Sequence, residues 1–313
     1  LLFLTFFPAR TLISSPHLLS VSPLIPSPSL TQSTQLPTTT KLPSKCKGKE
    51  AKKKMNTAIA LGCSSAAALT LSLSYIYWLH HSLEHTTHRL ARQGFVAAQS
   101  VSLDNLETVD KEVFSSGRYL SVYERAWRVV HRADLPGDAV LSKITAIAEE
   151  GQQGQEEYEE KLLTAYLRHT MVKFSRYLPQ SYLLRLMATT TQRKTFGAAH
   201  IQSLQFREGD VVSGFYRVLL RRAGKVEFGI DMPGDQKIEA RLVIGISQSD
   251  DNNNKQKVVE VYSETVMWRP ADRPDVVMPL ERGLGKFMHE LAAWWLLDSG
   301  VSYLVGLGVN KDV

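Results

Sequence analysis

The sequence predicts an α+β fold: a curved antiparallel sheet packed on one long C-terminal helix, preceded by an N-terminal transmembrane helix. Three features of the chain lead there. Between residues 211 and 269 apolar and polar residues alternate in successive runs, the period of half-buried antiparallel strands. From about 279 to 299 the period becomes helical, with Leu280, Leu284, Phe287, Leu291, Trp294 and Trp295 on one face. Residues 57–79, TAIALGCSSAAALTLSLSYIYWL, carry no charge over 23 positions, enough for a helix to span a bilayer core. Tyr75, Tyr77 and Trp78 gather at one end of that run, as an interfacial aromatic belt does.

Residues 1–54 are set apart. The stretch 1–37 is mostly Leu, Ser, Pro and Phe, whose codons are pyrimidine-rich, as in a translated leader, and the first methionine is Met55. Met55 is therefore the expected start, and 1–54 a low-complexity leader outside the native protein and unable to form a packed core. The expected organisation continues with an anchor and juxtamembrane helix over 55–98, a linker over 99–118 and a soluble domain over 119–313.

The chain has net charge +6 and a pI near 9.2. Eight of its bases fall within residues 1–54 against the single acid Glu50, leaving 29 bases and 30 acids beyond, a net charge of −1. Nucleic-acid binding needs a basic excess on the folded part, so it is excluded as the expected function. Cys46 and Cys63 are the only cysteines and both precede the soluble domain, and no Asn-x-Ser/Thr sequon occurs. No disulfide framework or cysteine nucleophile is expected there, and a cytosolic or mitochondrial setting fits better than an oxidising lumen. With Met55 as start, Arg89 and Arg92 dominate the flanking charge and direct the domain to the cytosol.

Along the domain, 80–98 is expected to continue as helix, putting His81, His85 and His88 at i, i+4 and i+7 on one face. Imidazoles so spaced are metal candidates, although a polar juxtamembrane helix is the simpler expectation. Residues 121–132 form a candidate strand. Pro136-Gly137 punctuates, and Asp138 caps a helix to about 149. A second helix covers about 157–177 up to Pro179, and a third about 181–190. Residues 200–206 are a possible extra strand. Strands follow at 211–221, 225–231, about 238–246 and 257–269, with a solvated loop at 249–256.

This order resembles the helix-grip superfamily of START-related and birch-pollen-allergen-like proteins. The stretch SVYERAWRVVHRADLP, the strands from 211 to 269 and the helix with Trp294-Trp295 carry the resemblance. It implies a sheet curled around the last helix, leaving an apolar cavity lined by Tyr216, Phe228, Leu242, Ile244, Trp268, Phe287, Leu291 and Trp295. A hot-dog fold, resembled by IQSLQFREGDVVSGFYRV, is the alternative.

Signature motifs are absent. His289-Glu290 lacks the second histidine of a zinc-protease helix, Gly245-Ile-Ser247 lacks the last glycine of a nucleophile elbow, and no Walker or Rossmann pattern occurs. Glu264 and His289 are the candidate acid–base residues, with Arg217, Arg269 and Glu290 as partners. The expected role is non-enzymatic binding of a lipid or other hydrophobic small molecule at a bilayer, with no cofactor. An enzyme acting on an acyl or polyketide-like substrate is the alternative.

Overall fold

The computed structural model describes residues 70–96, 105–145, 154–231, 238–250 and 257–309. The chain divides into two compact units, Leu1–Ile76 and Tyr77–Val313. Within the first, residues 70–76 are helical. The rest of the expected span, 57–69, and the leader lie outside the described residues.

The second unit is α+β. It opens with helix α1 (residues 77–86) and strand β1 (His88–Gly94), followed by α2 (Glu112–Ser115), β2 (Tyr119–His131) and a 3-10 turn at Arg132–Asp134. Five helices come next: α3 (Asp138–Thr145), α4 (Gln155–Tyr177), α5 (Pro179–Met187), α6 (Thr190–Lys194) and α7 (Ala198–Ser203). Strands β3 (Val211–Val212), β4 (Tyr216–Arg222), β5 (Lys225–Ile230), β6 (Glu239–Asp250) and β7 (Lys257–Pro270) lead to α8 (Gly283–Val309). All seven strands form one antiparallel, curved sheet in the order β1-β2-β7-β6-β5-β4-β3.

Both faces of the sheet are covered. Along β7, odd-numbered Val259, Val261, Ser263, Thr265 and Met267 point to an inner face under α4 and α8, and even-numbered Tyr262, Glu264, Val266 and Trp268 point outward. On the outer face, Leu106, Val109, Val113 and Phe114 pack on Tyr123, Val243, Tyr262, Val266 and Trp268. Gly245 sits opposite Tyr262 in the β6–β7 register. A Cβ there would lie 2.3 Å from the tyrosine ring, so glycine lets the ring lie flat across the strand.

Several local expectations are corrected. Residues 80–98 do not stay helical: the helix ends at 86, and His88–Gly94 pairs with β2 from His88↔Trp127 to Gly94↔Ser121. The β-branched pair Thr86-Thr87 weakens the helix there, and the open edge of β2 supplies ladder partners. The linker expected over 99–118 is, from 105 onward, the outer cover of the sheet; its spacing of Leu106, Val109, Val113 and Phe114 is that of a buried face. Residues 198–203 form α7 rather than a strand. The strand expected over 211–221 breaks at Ser213-Gly214, both with positive φ.

The closing helix is longer than the expected 279–299, and its buried stripe is rotated. Leu291, Trp294, Leu297, Gly300, Val301 and Leu304 are buried, whereas Leu284 is 41% exposed. Ser299-Gly300 reads as a helix end in sequence, but Gly300 packs tightly against α4: a Cβ would meet the Tyr166 ring at 2.2 Å. Among the described residues α8 is also the one helix long and apolar enough to cross a membrane. It packs on α4, β2 and β7, and its Asp298 pairs with Arg128 of β2.

Candidate functional site

The inner face does not close completely under α8. A cavity of about 90 Å³ lies between the sheet, α4 and α8. Tyr216, Leu242 and Ile244 supply the sheet wall, Met171 and Phe174 the α4 wall, and His289, Ala293 and Leu297 the α8 wall. A smaller recess adjoins it between α8 and strands β1 and β2, reaching Arg89, Glu124, Glu290 and Trp294. The two share Ser263, Thr265, His289 and Ala293, so one cleft runs from an apolar interior to a polar mouth.

Strand alternation builds that mouth. Glu124 lies opposite Thr265 in the β2–β7 register and so points to the inner face, towards α8. Its Oε2 is 3.5 Å from His289 Nε2, and its other oxygen is buried with no hydrogen-bond partner among the described residues. Burial pushes the Glu124 carboxyl up to about 7; neighbouring Glu290 adds to the shift and Lys286 opposes it. Burial pushes His289 down to about 4, although its side chain keeps 28% of its surface. The packed wall around the ring, rather than complete enclosure, therefore carries its desolvation. Both shifts favour the neutral forms. A neutral carboxyl beside a neutral imidazole can donate to and accept from a polar group entering the cleft, or pass a proton to it.

The candidate ligand-lining residues fall into three groups. Tyr216, Leu242 and Ile244 line the cavity. Phe228, Leu291, Phe287 and Trp295 belong to the same layer but sit behind or beside it: Phe228 packs edge-on to Phe206 and Tyr216, Leu291 is buried in the α8 stripe, Phe287 stacks on His80, and Trp295 faces Tyr177. Trp268 is on the outer face, where the Arg241 guanidinium stacks over it at 5.1 Å.

Glu264 and His289 are not brought together, because the sheet lies between them. Glu264 is fully buried on the outer face, accepts a 2.7 Å hydrogen bond from Asn105 Nδ2 and lies 3.4 Å from Arg125 Nε. Of its suggested partners, Arg217 pairs with Asp231 and Arg269 with Glu281. Glu124, the acid that does meet His289, does not stand out in sequence because its neighbours Tyr123-Glu124-Arg125-Ala126 do not alternate cleanly. Its parity with Val122 and Ala126 is the signal that places it inside.

His81 and His85 approach to 3.3 Å between their Nε2 atoms, while His88 stacks on Trp127 in the strand. Among the described residues no group of three or more His, Cys, Asp or Glu is placed to hold a metal ion. No family model matches the chain, and neither a curated protein nor a solved structure is significantly similar to it.

Proposed function

We propose that the chain is a membrane-anchored protein whose second unit binds a small hydrophobic molecule in the cleft beneath α8, with the molecule's polar end on Glu124 and His289. The observation that carries this reading is the Glu124 oxygen, buried at the mouth of an apolar cavity and left without a hydrogen-bond partner among the described residues. An unpaired buried polar atom costs ~1–3 kcal/mol, which a ligand group or ordered water can recover. Support also comes from strand order. Leaving aside the added edge strand β1, the first strand pairs with the last, the helices enter between them, and the closing helix lies on the sheet. This order resembles the helix-grip plan and so supports the reading.

The cavity is below the ~300–1,000 Å³ of pockets for drug-sized ligands, so its occupant is small or a single apolar chain end. Anchoring through residues 57–79 supplies such molecules from the bilayer, with the domain on the cytosolic or mitochondrial side. The test is displacement of a polarity-sensitive fluorophore from the full chain held in nanodiscs. Ala293→Phe, which fills the cleft, should abolish binding without lowering the melting temperature; unchanged binding refutes the site. A second reading, acid–base catalysis on a small acyl or polyketide-like substrate, draws on the same pair. It requires Glu124→Gln to lose turnover while still binding.

A further inference from the structure

A second surface lies away from the cleft. From residue 162 to 206 the chain contains no Asp or Glu, and its bases there are Arg168, Lys173, Arg176, Arg185, Arg193 and Lys194. Arg168, Lys173 and Arg176 line a cleft of about 450 Å³ whose walls come from α3, α4, α7 and Tyr303 of α8, with no carboxylate among the described lining residues. Arg168 is committed to the protein, donating to the carbonyls of Leu204, Ile144 and Thr145. Lys173 and Arg176 instead lie over the Tyr177 ring at 5.3 and 5.4 Å.

Next to this cationic edge is an apolar one. Tyr177, Tyr182, Leu186 and Met187 are exposed, Leu186 by 74%. Tyr182 and Leu186 are four residues apart on α5 and share a stripe. The Tyr182 hydroxyl donates to the Arg176 carbonyl at 2.6 Å, which ties the stripe to the rim of the cleft. Arg185 and the exposed Arg193 border the same corner. Exposed Tyr and Leu ringed by uncompensated bases match the chemistry of an anionic lipid surface: apolar groups enter the headgroup layer and bases meet phosphates.

We propose that the corner formed by the end of α4 and by α5 docks on the surface of an anionic bilayer, with Lys173 and Arg176 on lipid phosphates and Tyr182 and Leu186 in the headgroup layer. This rests on the membrane-anchored reading and adds the face that meets the lipid and the charge that lipid must carry.

The full chain is reconstituted into phosphatidylcholine vesicles with and without phosphatidylserine, and amide hydrogen exchange is followed over 177–187. Flotation of the chain with both vesicles checks the anchor separately. A chain that floats only with phosphatidylserine lacks the anchor but still supports docking. Exchange over 177–187 should slow with phosphatidylserine and recover in high salt. One base near an anionic surface is worth roughly fivefold in partition. The double variant Lys173→Gln, Arg176→Gln should therefore lose most of the protection, with sheet amides unchanged. If that variant unfolds, Leu186→Glu, at a position held mainly by solvent, gives the same readout. Equal exchange in both vesicles overturns docking on anionic lipid. So does equal protection by soluble RNA without vesicles, which would make the surface a polyanion site.

Discussion

The two faces of the sheet each bury carboxylates and give them different partners. On the outer face Glu264 and Glu227 are fully buried; Glu227 is met at both oxygens, and Glu264 is met at Oε1 by Asn105 and Arg125, its Oε2 having no hydrogen bond among the described residues. Asn105, Arg125 and Tyr123 surround Glu264, and the Thr108 backbone N–H reaches both oxygens of Glu227 at 3.2 Å while its hydroxyl donates to one of them. Asn105 also accepts from Tyr262, and Thr108 from Arg241, so these acids fasten residues 105–116 onto the sheet. On the inner face Glu124 has an imidazole at 3.5 Å, a like charge nearby and one oxygen unpaired. An acid held by an amide donor and a guanidinium, as Glu264 is, fastens the fold. An acid held out of water without sufficient partners costs stability, and it marks the place where the fold leaves chemistry available.

The largest effect should come from the α8 stripe that holds the inner face shut. Leu297 is fully buried, so Leu297→Ala should cost ~2–5 kcal/mol in denaturant melts. A loss no greater than that from Trp295→Ala, a half-buried residue, would place the helix at the periphery. Glu264→Ala comes next: it strands the Asn105 amide and part of the Arg125 guanidinium, for a loss of ~1–3 kcal/mol.

Glu124→Gln should go the other way. The carboxyl titrates near 4.5 unfolded and about 7 folded. As pH rises through that window the unfolded state ionises first and native stability drains away. The amide removes this loss, so the variant should match the parent below pH 4.5 and exceed it at pH 8 by about 1–3 kcal/mol. His289 has the opposite linkage. Its pKa falls from 6.5 to about 4 on folding, so stability is lost as pH drops through that range, and His289→Gln should relieve it. A destabilised Glu124→Gln at pH 8 would show instead that the pair is ionised and satisfied, and the contrast between the two faces would collapse. The smallest change expected is from Lys286→Ala, at a partly exposed position, within about 0.5 kcal/mol.

Periodicity made most of the domain legible. The helix over α4, the alternating strands β5 to β7 and the closing helix all follow from spacing, because each buries one regular face. What sequence missed were segments whose conformation is decided by a distant partner. His88–Gly94 is a strand because β2 offers an edge, and residues 105–116 are ordered because Glu227 and Glu264 bind them. Gly300 ended the helix in sequence for want of the Tyr166 ring it accommodates. The site was half legible. His289 and the sheet wall of Tyr216, Leu242 and Ile244 could be picked by parity. Pairing His289 with Glu124 rather than Glu264 required knowing which face of β7 the helix covers.

The ligand-binding reading is tested most directly by what the domain carries. The second compact unit, residues 77–313, would be purified without the uncharged span and extracted, and the extract analysed by mass spectrometry, for the parent and for Ala293→Phe. One hydrophobic compound with a polar end is expected, close to stoichiometric with the parent and absent from the variant. No retained compound, or the same compound in equal amount from the cleft-filled variant, would contradict it.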